Sequence, residues 1–398
     1  MGSGGGYTVG LELWRHLALV RPDWTITLAV VAGNPLHEEA RGAAAPENCK
    51  LLWAPPEAAR RGPRARYEKN NLVNWVRENQ VSAVLQLNGM IVPGMPVPTL
   101  AHCQDPWPYR PVAWENGHKD RALAFLKRRA NATAFRQAAC VGWTSAYLRD
   151  LMCEAVEIRP PHGQVFYNGV PEDWIARAQK NLPDWETRPL QIVTISNVAP
   201  YKQQEMVIRA LPLVRGEKGL NRLLYRIAGA CSPAYAEHLR RVAQSVGVAD
   251  AVILEGRVSA ARITELFSQS RCYVLMSKCE SFGLPAIEAM TFGTPVITAD
   301  CCAMPEVCGD AAQLCPLEDT AALAAKIVAV LTEPERAQRL RQAGARQVQK
   351  FKWRETAEKM ATALDEAIGA DAAHARRPAA SGPADDAASD ATEKSARH

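Results

Sequence analysis

The chain has 398 residues, of which 47% are hydrophobic and 22% are charged. This composition is typical of a globular protein long enough for two domains, and it argues against a disordered or fibrous chain. The net charge of +5 is small for a protein that binds nucleic acid, so we expect no nucleic-acid partner. No run of ~18 apolar residues predicts a membrane-spanning helix, and the first residues lack the features of a signal peptide, which predicts a cytoplasmic location.

The first half of the chain alternates short apolar strands with amphipathic helices, which is typical of a parallel sheet covered by helices. The predicted strands are Trp24–Ala32, Ala83–Leu87, Pro98–His102 and Ala139–Trp143, and the predicted helices are Gly10–Leu19, Asn70–Asn79 and Arg121–Arg136. Gly4, Gly5 and Gly6 precede the first helix, where a doubly wound domain usually has a strand followed by a glycine loop. That strand is missing from the sequence, and we interpret this as a start codon placed downstream of the true one.

The second half repeats the alternation and ends in a polar tail. The predicted strands are Gln191–Ile195, Tyr225–Ala228, Val252–Leu254, Cys272–Leu275, Pro295–Thr298 and Ala312–Cys315, and the predicted helices are Gln203–Val214, Ala234–Val246, Ala260–Ser268, Pro285–Phe292 and Thr320–Leu331. The stretch Val170–Pro189 has no clear strand, which predicts a domain boundary. From residue 370 to 398 almost no large apolar side chain occurs, which predicts a disordered tail. We therefore expect two Rossmann-like α/β domains, residues 1–173 and 174–353, facing across a cleft.

The chain has eleven cysteines. Cys301, Cys302, Cys308 and Cys315 lie close together in the sequence, but they lack the paired C-x-x-C spacing of zinc ligands. Others, such as Cys272, lie in apolar strands, where a reduced cysteine packs as a small hydrophobic residue. We expect no disulfide and no bound metal.

The densest group of candidate site residues is the segment E-S-F-G-L-P-A-I-E, from Glu280 to Glu288. A helix is predicted to begin at Pro285, and its free N–H groups and positive dipole end suit a diphosphate. Gly283 lets a ligand approach the backbone. Glu280, and Glu288 in the first helical turn, flank this anion site and can accept hydrogen bonds from the hydroxyls of ribose or a hexose. The structural alternative is that Glu288 only complements the helix dipole.

Lys202 is a second candidate, at the turn where the first strand of the second half leads into a helix. A lysine there can reach a diphosphate as a point charge. A single lysine of this kind is usually just solvated. It becomes a candidate because it shares a sheet edge with Glu280, and ligands of such sheets bind outside the carboxyl ends of the strands.

The Glu-x7-Glu motif within E-S-F-G-L-P-A-I-E-A-M, followed by G-T-P-V-I, resembles the retaining GT-B-fold glycosyltransferases of family 4. Other segments are similar in the family's order: Asn168-Gly169-Val170, Leu254-Glu255-Gly256-Arg257-Val258, Met304-Pro305-Glu306-Val307 and Gly309-Asp310-Ala311-Ala312. The resemblance covers Gly4–Leu364. It implies the GT-B architecture, with a last helix, residues 354–369, that crosses back to the first domain.

The resemblance also implies a role for each matching residue. Glu288 would hold the ribose of the nucleotide, and Glu280 the hydroxyls of the transferred sugar. Lys202 would neutralise the departing diphosphate, and His102, otherwise an ordinary strand-end residue, would face the anomeric carbon. The other implied contacts are Ser281, Phe282, Gly283 and Leu284 with the sugar and diphosphate, Asn197 and Gly256 with the donor, and Gly4, Gly5 and Gly6 with the diphosphate or the acceptor.

The implied reaction is transfer of a hexose from a nucleotide-diphosphate sugar, GDP-mannose or a UDP-hexose, to a glycan or lipid-linked acceptor in cell-envelope polysaccharide synthesis. We expect no cofactor, and no D-x-D-like site for a metal, so activity should be metal-independent. Asn197 stands where many members of the family have an arginine, which removes one diphosphate charge. Asn197 and the missing first strand leave open a non-catalytic protein that binds nucleotide sugar or glycan. A second alternative is a sugar-nucleotide epimerase of the same fold, against which the Glu-x7-Glu helix and the Asn-Gly-Val segment argue.

A basic segment is relevant to the kind of acceptor, because a contact with the membrane would fit a lipid-linked one. Lys127-Arg128-Arg129 follows the apolar stretch Ala122–Leu126, and together they predict an amphipathic basic helix. Such a helix is either a solvated surface or a peripheral contact with the inner face of the membrane.

Overall fold

The computed structural model describes residues 5–32, 45–115, 117–181 and 183–375, in which strands and helices alternate. The strands are β1 (Ile26–Val31), β2 (Cys49–Ala54), β3 (Val84–Gln86), β4 (Thr99–Cys103), β5 (Cys140–Trp143), β6 (Gly163–Val165), β7 (Gln191–Ile195), β8 (Leu224–Ala228), β9 (Val252–Gly256), β10 (Cys272–Leu275), β11 (Val296–Ala299) and β12 (Ala312–Cys315). The helices are α1 (Gly5–Val20), α2 (Arg61–Tyr67), α3 (Val73–Glu78), α4 (Val112–Glu115), α5 (His118–Gln137), α6 (Ala146–Val156), α7 (Glu172–Asn181), α8 (Gln204–Arg215), α9 (Pro233–Ser245), α10 (Ala260–Gln269), α11 (Leu284–Thr291), α12 (Met304–Cys308), α13 (Thr320–Thr332), α14 (Pro334–Val348) and α15 (Trp353–Ala375). A π-helical turn, Glu68–Leu72, joins α2 to α3, and short 3-10 turns are Pro56–Ala59, Trp107–Tyr109, Trp185–Thr187, Pro200–Lys202 and Gly309–Ala311.

The C-terminal domain is built on a six-stranded parallel sheet in the order β12-β11-β10-β7-β8-β9. Val193, Tyr273 and Val296 lie side by side in register across its central strands. Alternate residues of a strand point to opposite faces: Val193 packs in a cluster with residues of α11, whereas Ile192 packs in another with residues of α8. Because helices cover both faces, these strands are apolar along their whole length.

The N-terminal domain contains two parallel sheets, β3-β4-β5-β6 and the pair β1-β2. Helix α1 packs on both, since Trp14 clusters with Val30 of β1 and Leu13 clusters with Leu100 of β4. In the ranges that the structure describes, no strand joins β1 to β3. The described part of this domain therefore begins with a helix, and that helix covers the junction between the two sheets.

Helix α15 returns the chain to the N-terminal domain and packs against α1, where Arg21 forms an ion pair with Asp365. At its start, the N–H of Val170 donates to the carbonyl of Phe351 at 3.0 Å. A Cβ atom at Gly169 would lie 2.2 Å from the backbone nitrogen of Trp353. Only glycine allows two backbones to approach this closely, so the Asn-Gly-Val segment fixes the point where the chain crosses over.

Two of the described strands, β2 and β6, and six of the described helices, α2, α4, α6, α7, α12 and α14, were not predicted. β2 carries the polar Lys50 among its apolar residues, and β6 has only three residues, so neither gives a clear strand pattern. Helix α7 lies where an irregular linker was expected, and it packs through Trp174, whose ring centroid is 5.4 Å from that of Phe292.

The predicted disordered tail also begins too early. Helix α15 continues to Ala375, so the prediction is wrong for residues 370–375, where several alanines favour continuation of the helix; residues 376–398 lie outside the described ranges. None of the described helices combines the length and the apolar character that crossing a bilayer requires.

Candidate active site

The candidate residues of the C-terminal domain lie in the loops that follow β7 and β10, neighbouring parallel strands. The carboxyl ends of parallel strands meet at one edge of the sheet, which is where doubly wound domains bind ligands. The loop after β7 contains the short 3-10 turn that ends at Lys202, and the loop after β10 leads through Glu280 into α11. The sheet thus brings together two residues that are far apart in the sequence.

Lys202 and Glu280 form an ion pair in which lysine Nζ lies 2.6 Å from carboxylate Oε1. The two side chains are only 12% and 11% exposed. Burial acts to lower the pKa of Lys202, but the adjacent charge of Glu280 outweighs it, and the net pKa lies above the ordinary value. Lys202 is therefore a cation at neutral pH. The residue predicted to contact the diphosphate, Lys202, is thus paired with the residue predicted to contact the sugar, Glu280.

Glu288 lies near this pair but has a different environment. It is the fifth residue of α11, so the prediction that it lies in the first turn is wrong: the helix begins at Leu284 and passes its first turn before reaching Glu288. Surrounding protein atoms bury its carboxyl group and raise the pKa to about 7. Burial is the largest cause of the raised pKa of Tyr273, and the nearby Glu280 and Glu288 raise it further. Both carboxyl groups therefore lie near β10, the strand that contains Tyr273.

The segment Ser281–Leu284 forms the start of α11. Gly283 is its N-cap and has a φ of +79°, in the left-handed region that favours glycine. The side chains of Phe282 and Leu284 are buried, and the ring centroid of Phe282 lies 5.2 Å from that of Phe351. These two residues can therefore reach a ligand only through their backbone, at the end of the helix with free N–H groups.

His102 lies in β4 and is fully buried. The strand continues to Cys103, so His102 is one residue inside it rather than at its end. Neither ring nitrogen has a hydrogen-bond partner among the described residues. Burial lowers its pKa to about 3, so the imidazole is neutral at physiological pH.

The N-terminal sheet meets the α11 loop next to His102. The carbonyl of Ser281 accepts hydrogen bonds from Ser145 Oγ at 2.7 Å and from Thr144 Oγ1 at 3.3 Å. Thr144 and Ser145 follow β5, whose residue Gly142 pairs with His102. The carboxyl edges of both sheets therefore face each other across the candidate site.

A cavity of about 350 Å³ lies at the carboxyl ends of β8 and β9. Its lining includes Val198, Gly229, Ala230, Arg240, Gly256 and Arg257. Asn197 is exposed next to this lining, at the end of β7. Of the predicted donor contacts, Gly256 therefore lines the cavity and Asn197 borders it.

The predicted glycine loop is not a loop in the described residues. Gly5 and Gly6 lie in the first turn of α1, and Gly4 lies outside the described ranges. The predicted backbone conformation is therefore wrong. The first turn of a helix nevertheless carries free N–H groups, so backbone donors are present at that end of α1.

No role was predicted from the sequence for three residues that join the two domains, although Glu306 lies in a segment that carries the resemblance. Glu306 accepts hydrogen bonds from the N–H groups of Ala146 and Tyr147, at 2.8 and 2.7 Å, and from the hydroxyl of Tyr167 at 2.9 Å. Arg110 Nη2 donates to the carbonyl of Lys278 at 3.3 Å. The third residue is Ser145, whose contact with Ser281 is described above. Ser145 follows a predicted strand, and since ligands bind outside the carboxyl ends of parallel strands, its position was a signal that could have identified it.

Comparison with known proteins agrees with this architecture. Residues 176–347 match the family described as glycosyl transferases group 1. The D-inositol 3-phosphate glycosyltransferase of Streptomyces coelicolor is 30% identical over 185 residues, which are 45% of this chain and 40% of that protein. The MMP alpha-(1->4)-mannosyltransferase of Mycolicibacterium hassiacum is 31% identical over 127 residues, which are 31% of each chain. This chain thus spans well under half the length of these relatives.

Solved structures match over nearly the whole chain, and two of them serve as examples. Anabaena HepE in complex with UDP and glucose has a TM-score of 0.69 at 16% identity, covering 92% of this chain and 97% of that one. WaaG, a glycosyltransferase involved in lipopolysaccharide biosynthesis, has a TM-score of 0.70 at 17% identity, covering 93% and 97%. The chain therefore has the GT-B fold, and its residues 176–347 carry the match to the group 1 glycosyl transferases.

Proposed function

We propose that the protein is a retaining glycosyltransferase of the family 4 type, which transfers a hexose from a nucleotide-diphosphate sugar to a glycan or lipid-linked acceptor. The observation that carries this proposal is the nearly buried Lys202–Glu280 pair between the start of α11 and the edge of the N-terminal sheet. It supplies a cation for a diphosphate and a carboxylate for sugar hydroxyls within 2.6 Å of each other.

The chemical problem is the departure of the nucleoside diphosphate. Lys202 and the N–H groups at the start of α11 would stabilise the negative charge that develops on it, and fixed groups of this kind commonly supply most of the rate enhancement. When a donor binds, Glu280 would exchange its contact with Lys202 for hydroxyls of the sugar. His102, neutral and buried, would face the anomeric carbon, and the acceptor would attack from the side of the leaving group.

The family match and the cavity support a nucleotide-sugar donor. The cavity at the ends of β8 and β9 would hold the nucleotide base, and Glu288 would accept hydrogen bonds from the ribose. HepE was solved with UDP and glucose, and one relative is a mannosyltransferase. We therefore favour a UDP-hexose or GDP-mannose.

The first experiment is thermal unfolding of the full chain with UDP-, GDP- and ADP-sugars, beside Glu288→Ala. Ligands that bind the native state raise its stability, so we expect one nucleotide class to raise the Tm of the wild type and not of the variant. No Tm shift with any donor would overturn the proposal.

We also propose that transfer needs no divalent metal, because Lys202 and α11 would meet the diphosphate charge. Activity should survive EDTA, whereas strict dependence on added manganese would contradict this part of the proposal.

The acceptor is proposed to belong to cell-envelope synthesis, with the protein cytoplasmic and in peripheral contact with the inner face of the membrane. The supporting feature lies on α5, where Phe125 and Leu126 are 57% and 62% exposed. Of the neighbouring basic residues, Lys127 pairs with Asp105 at 2.6 Å and Arg128 lies over the ring of Trp114. The contact would therefore depend more on the apolar side chains than on the basic cluster.

One observation favours a second candidate, a protein that binds nucleotide sugar without turning it over. Asn197 is exposed at the end of β7, where the resemblance predicts an arginine, so Lys202 would meet the diphosphate with one fewer cation. Product analysis with the donor found by thermal unfolding separates the two: binding without transfer to any envelope acceptor supports the second candidate.

A further inference from the structure

A group of three cysteines lies at the junction of the two domains, in the loops that follow β10 and β11. Cys301 Sγ lies 3.4 Å from the carbonyl of Ser277, and Cys302 Sγ lies 3.2 Å from the carbonyl of Lys278. The two adjacent thiols therefore contact consecutive carbonyls of one loop. Cys279 is the next residue of that loop, and it is buried, whereas Cys301 and Cys302 are half-buried.

The N-terminal domain contributes two groups to the same place. Arg110 donates to the carbonyl of Lys278 at 3.3 Å, which brings its guanidinium next to the thiols. Tyr147 is close enough to Cys302 for each group to shift the pKa of the other, and its buried hydroxyl has no hydrogen-bond partner among the described residues. The thiols are thus enclosed by a cation and a phenol from across the domain junction.

The backbone holds Cys302 in an uncommon conformation. Its φ is +59°, in the left-handed region that residues other than glycine rarely adopt. Such conformations persist only where the surroundings enforce them, and they are concentrated at functional sites. In this conformation the Cys302 sulfur contacts the Lys278 carbonyl at 3.2 Å.

The two thiols have opposite acidities. The neighbouring Cys301 thiol, the backbone N–H of Glu280 and Arg110 together lower the pKa of Cys302 to about 6, against the opposing effect of burial. The pKa of Cys301 is raised, first by its interaction with Cys302 and then by burial. In contrast, burial raises the pKa of Cys272 and Cys279. A partly accessible thiolate beside a cation is the environment of a nucleophilic cysteine.

We propose that Cys302 and Cys301 form a thiol modification site, in which Cys302 attacks a hydroperoxide and Cys301 resolves the product. The Cys302 thiolate breaks the O–O bond of hydrogen peroxide, takes one oxygen as a sulfenic acid, and releases hydroxide. The Cys301 thiol then displaces the second hydroxide and forms an S–S bond with Cys302. The two thiols supply two electrons and two protons, the peroxide becomes two waters, and a small thiol reverses the step by exchange.

This site does not depend on the proposed transfer reaction, but it borders the same cleft. Cys279 directly precedes Glu280, and the Tyr147 N–H is held by Glu306. Oxidation would remove the thiolate that interacts with Tyr147 and Arg110. We therefore expect oxidation to loosen the contact between the domains.

Mass spectrometry of the full chain tests the site without an activity assay. With one equivalent of hydrogen peroxide at pH 7, the wild type should lose two hydrogens and recover them on addition of dithiothreitol. Cys301→Ser should instead gain one oxygen that dimedone traps, and Cys302→Ser should do neither. Cys231→Ser is the matched control, because Cys231 is half-buried but burial raises its pKa; this variant should behave as the wild type.

Two outcomes would overturn the proposal: loss of two hydrogens by Cys302→Ser at the wild-type rate, or by Cys301→Ser, which would make another cysteine the resolving thiol. A second measurement uses only the wild-type fold. Alkylation of Cys302 by iodoacetamide, followed by peptide mapping, should be half-maximal near pH 6, while alkylation of Cys231 should still rise above pH 8. Identical pH profiles for both cysteines would also overturn it.

Discussion

At the residue scale, the pair of Lys202 and Glu280 is expected to contribute both to ligand binding and to the free energy of unfolding. Both side chains are nearly buried, so Lys202→Ala leaves a buried carboxylate without its cation, which costs about 3 kcal/mol of unfolding free energy. We expect this variant to lose transfer and to bind nucleoside diphosphates more weakly. In Lys202→Ala/Glu280→Gln the uncompensated charge is gone, so the free energy of unfolding measured in urea should recover while diphosphate binding should not.

Lys278→Ala is the control for this prediction. Lys278 pairs with Glu318, whose side chain is 74% exposed, and such surface pairs contribute less than ~1 kcal/mol. Equal losses of stability in Lys202→Ala and Lys278→Ala would show that the Lys202 pair is not a buried one.

The raised pKa of Glu288 predicts that nucleotide affinity depends on pH. Burial raises its pKa from 4.5 to about 7, so its burial favours the folded state at low pH, and this contribution is lost as the pH rises through that interval. The carboxylate is the form that accepts hydrogen bonds from both ribose hydroxyls. Between pH 8 and pH 6 its ionised fraction falls by roughly tenfold, and we expect UDP or GDP affinity, measured by calorimetry, to fall in parallel. The diphosphate itself also titrates, so the same measurement is made with Glu288→Gln as the control. If the affinity of this variant depends on pH as steeply as that of the wild type, Glu288 is not the cause.

At the scale of elements, Glu306 ties α12 of one domain to the start of α6 in the other. Its carboxylate satisfies two free N–H groups at that helix end, those of Ala146 and Tyr147. Hydrogen bonds to a charged group contribute ~1.5–3 kcal/mol, so Glu306→Ala should speed hydrogen exchange of these two amides at least about tenfold. Asp310→Ala, which removes an exposed carboxylate nearby, should leave their exchange unchanged. Unaltered exchange in Glu306→Ala would mean that the carboxylate does not hold the domains together.

At the scale of the whole molecule, the exposed apolar residues of α5 predict contact with a membrane surface. Leu126→Glu should lower the fraction of protein that sediments with vesicles containing anionic lipid, because it removes apolar area and adds repulsion. The matched control is Leu213→Glu, since Leu213 of α8 is 55% exposed and Leu126 is 62% exposed. An equal loss in both variants, or no sedimentation of the wild type, would contradict the predicted contact.

The pattern of the sequence determined most of the fold. Continuous apolar strands between amphipathic helices predicted the parallel sheets, and every strand predicted for the C-terminal domain is present there. The same pattern predicted Lys202 and Glu280 as neighbours, because the carboxyl ends of adjacent parallel strands share one edge. What it could not predict were β2 and β6, which are short or interrupted by polar residues, so their pairing depends on neighbouring strands rather than on local preference.

The tertiary structure alone decided how the candidate residues are paired and how acidic they are. The sequence contains Lys202, Glu280 and Glu288, but only packing makes the first two an ion pair and leaves the third with a pKa of about 7. Likewise, Cys301 and Cys302 are adjacent in any conformation, yet Arg110 and Tyr147 reach them only when the two domains meet. Charge and burial are properties of the surroundings of a side chain, and those surroundings come from distant segments of the chain: 78 residues separate Lys202 from Glu280, and 168 residues separate Arg110 from Lys278.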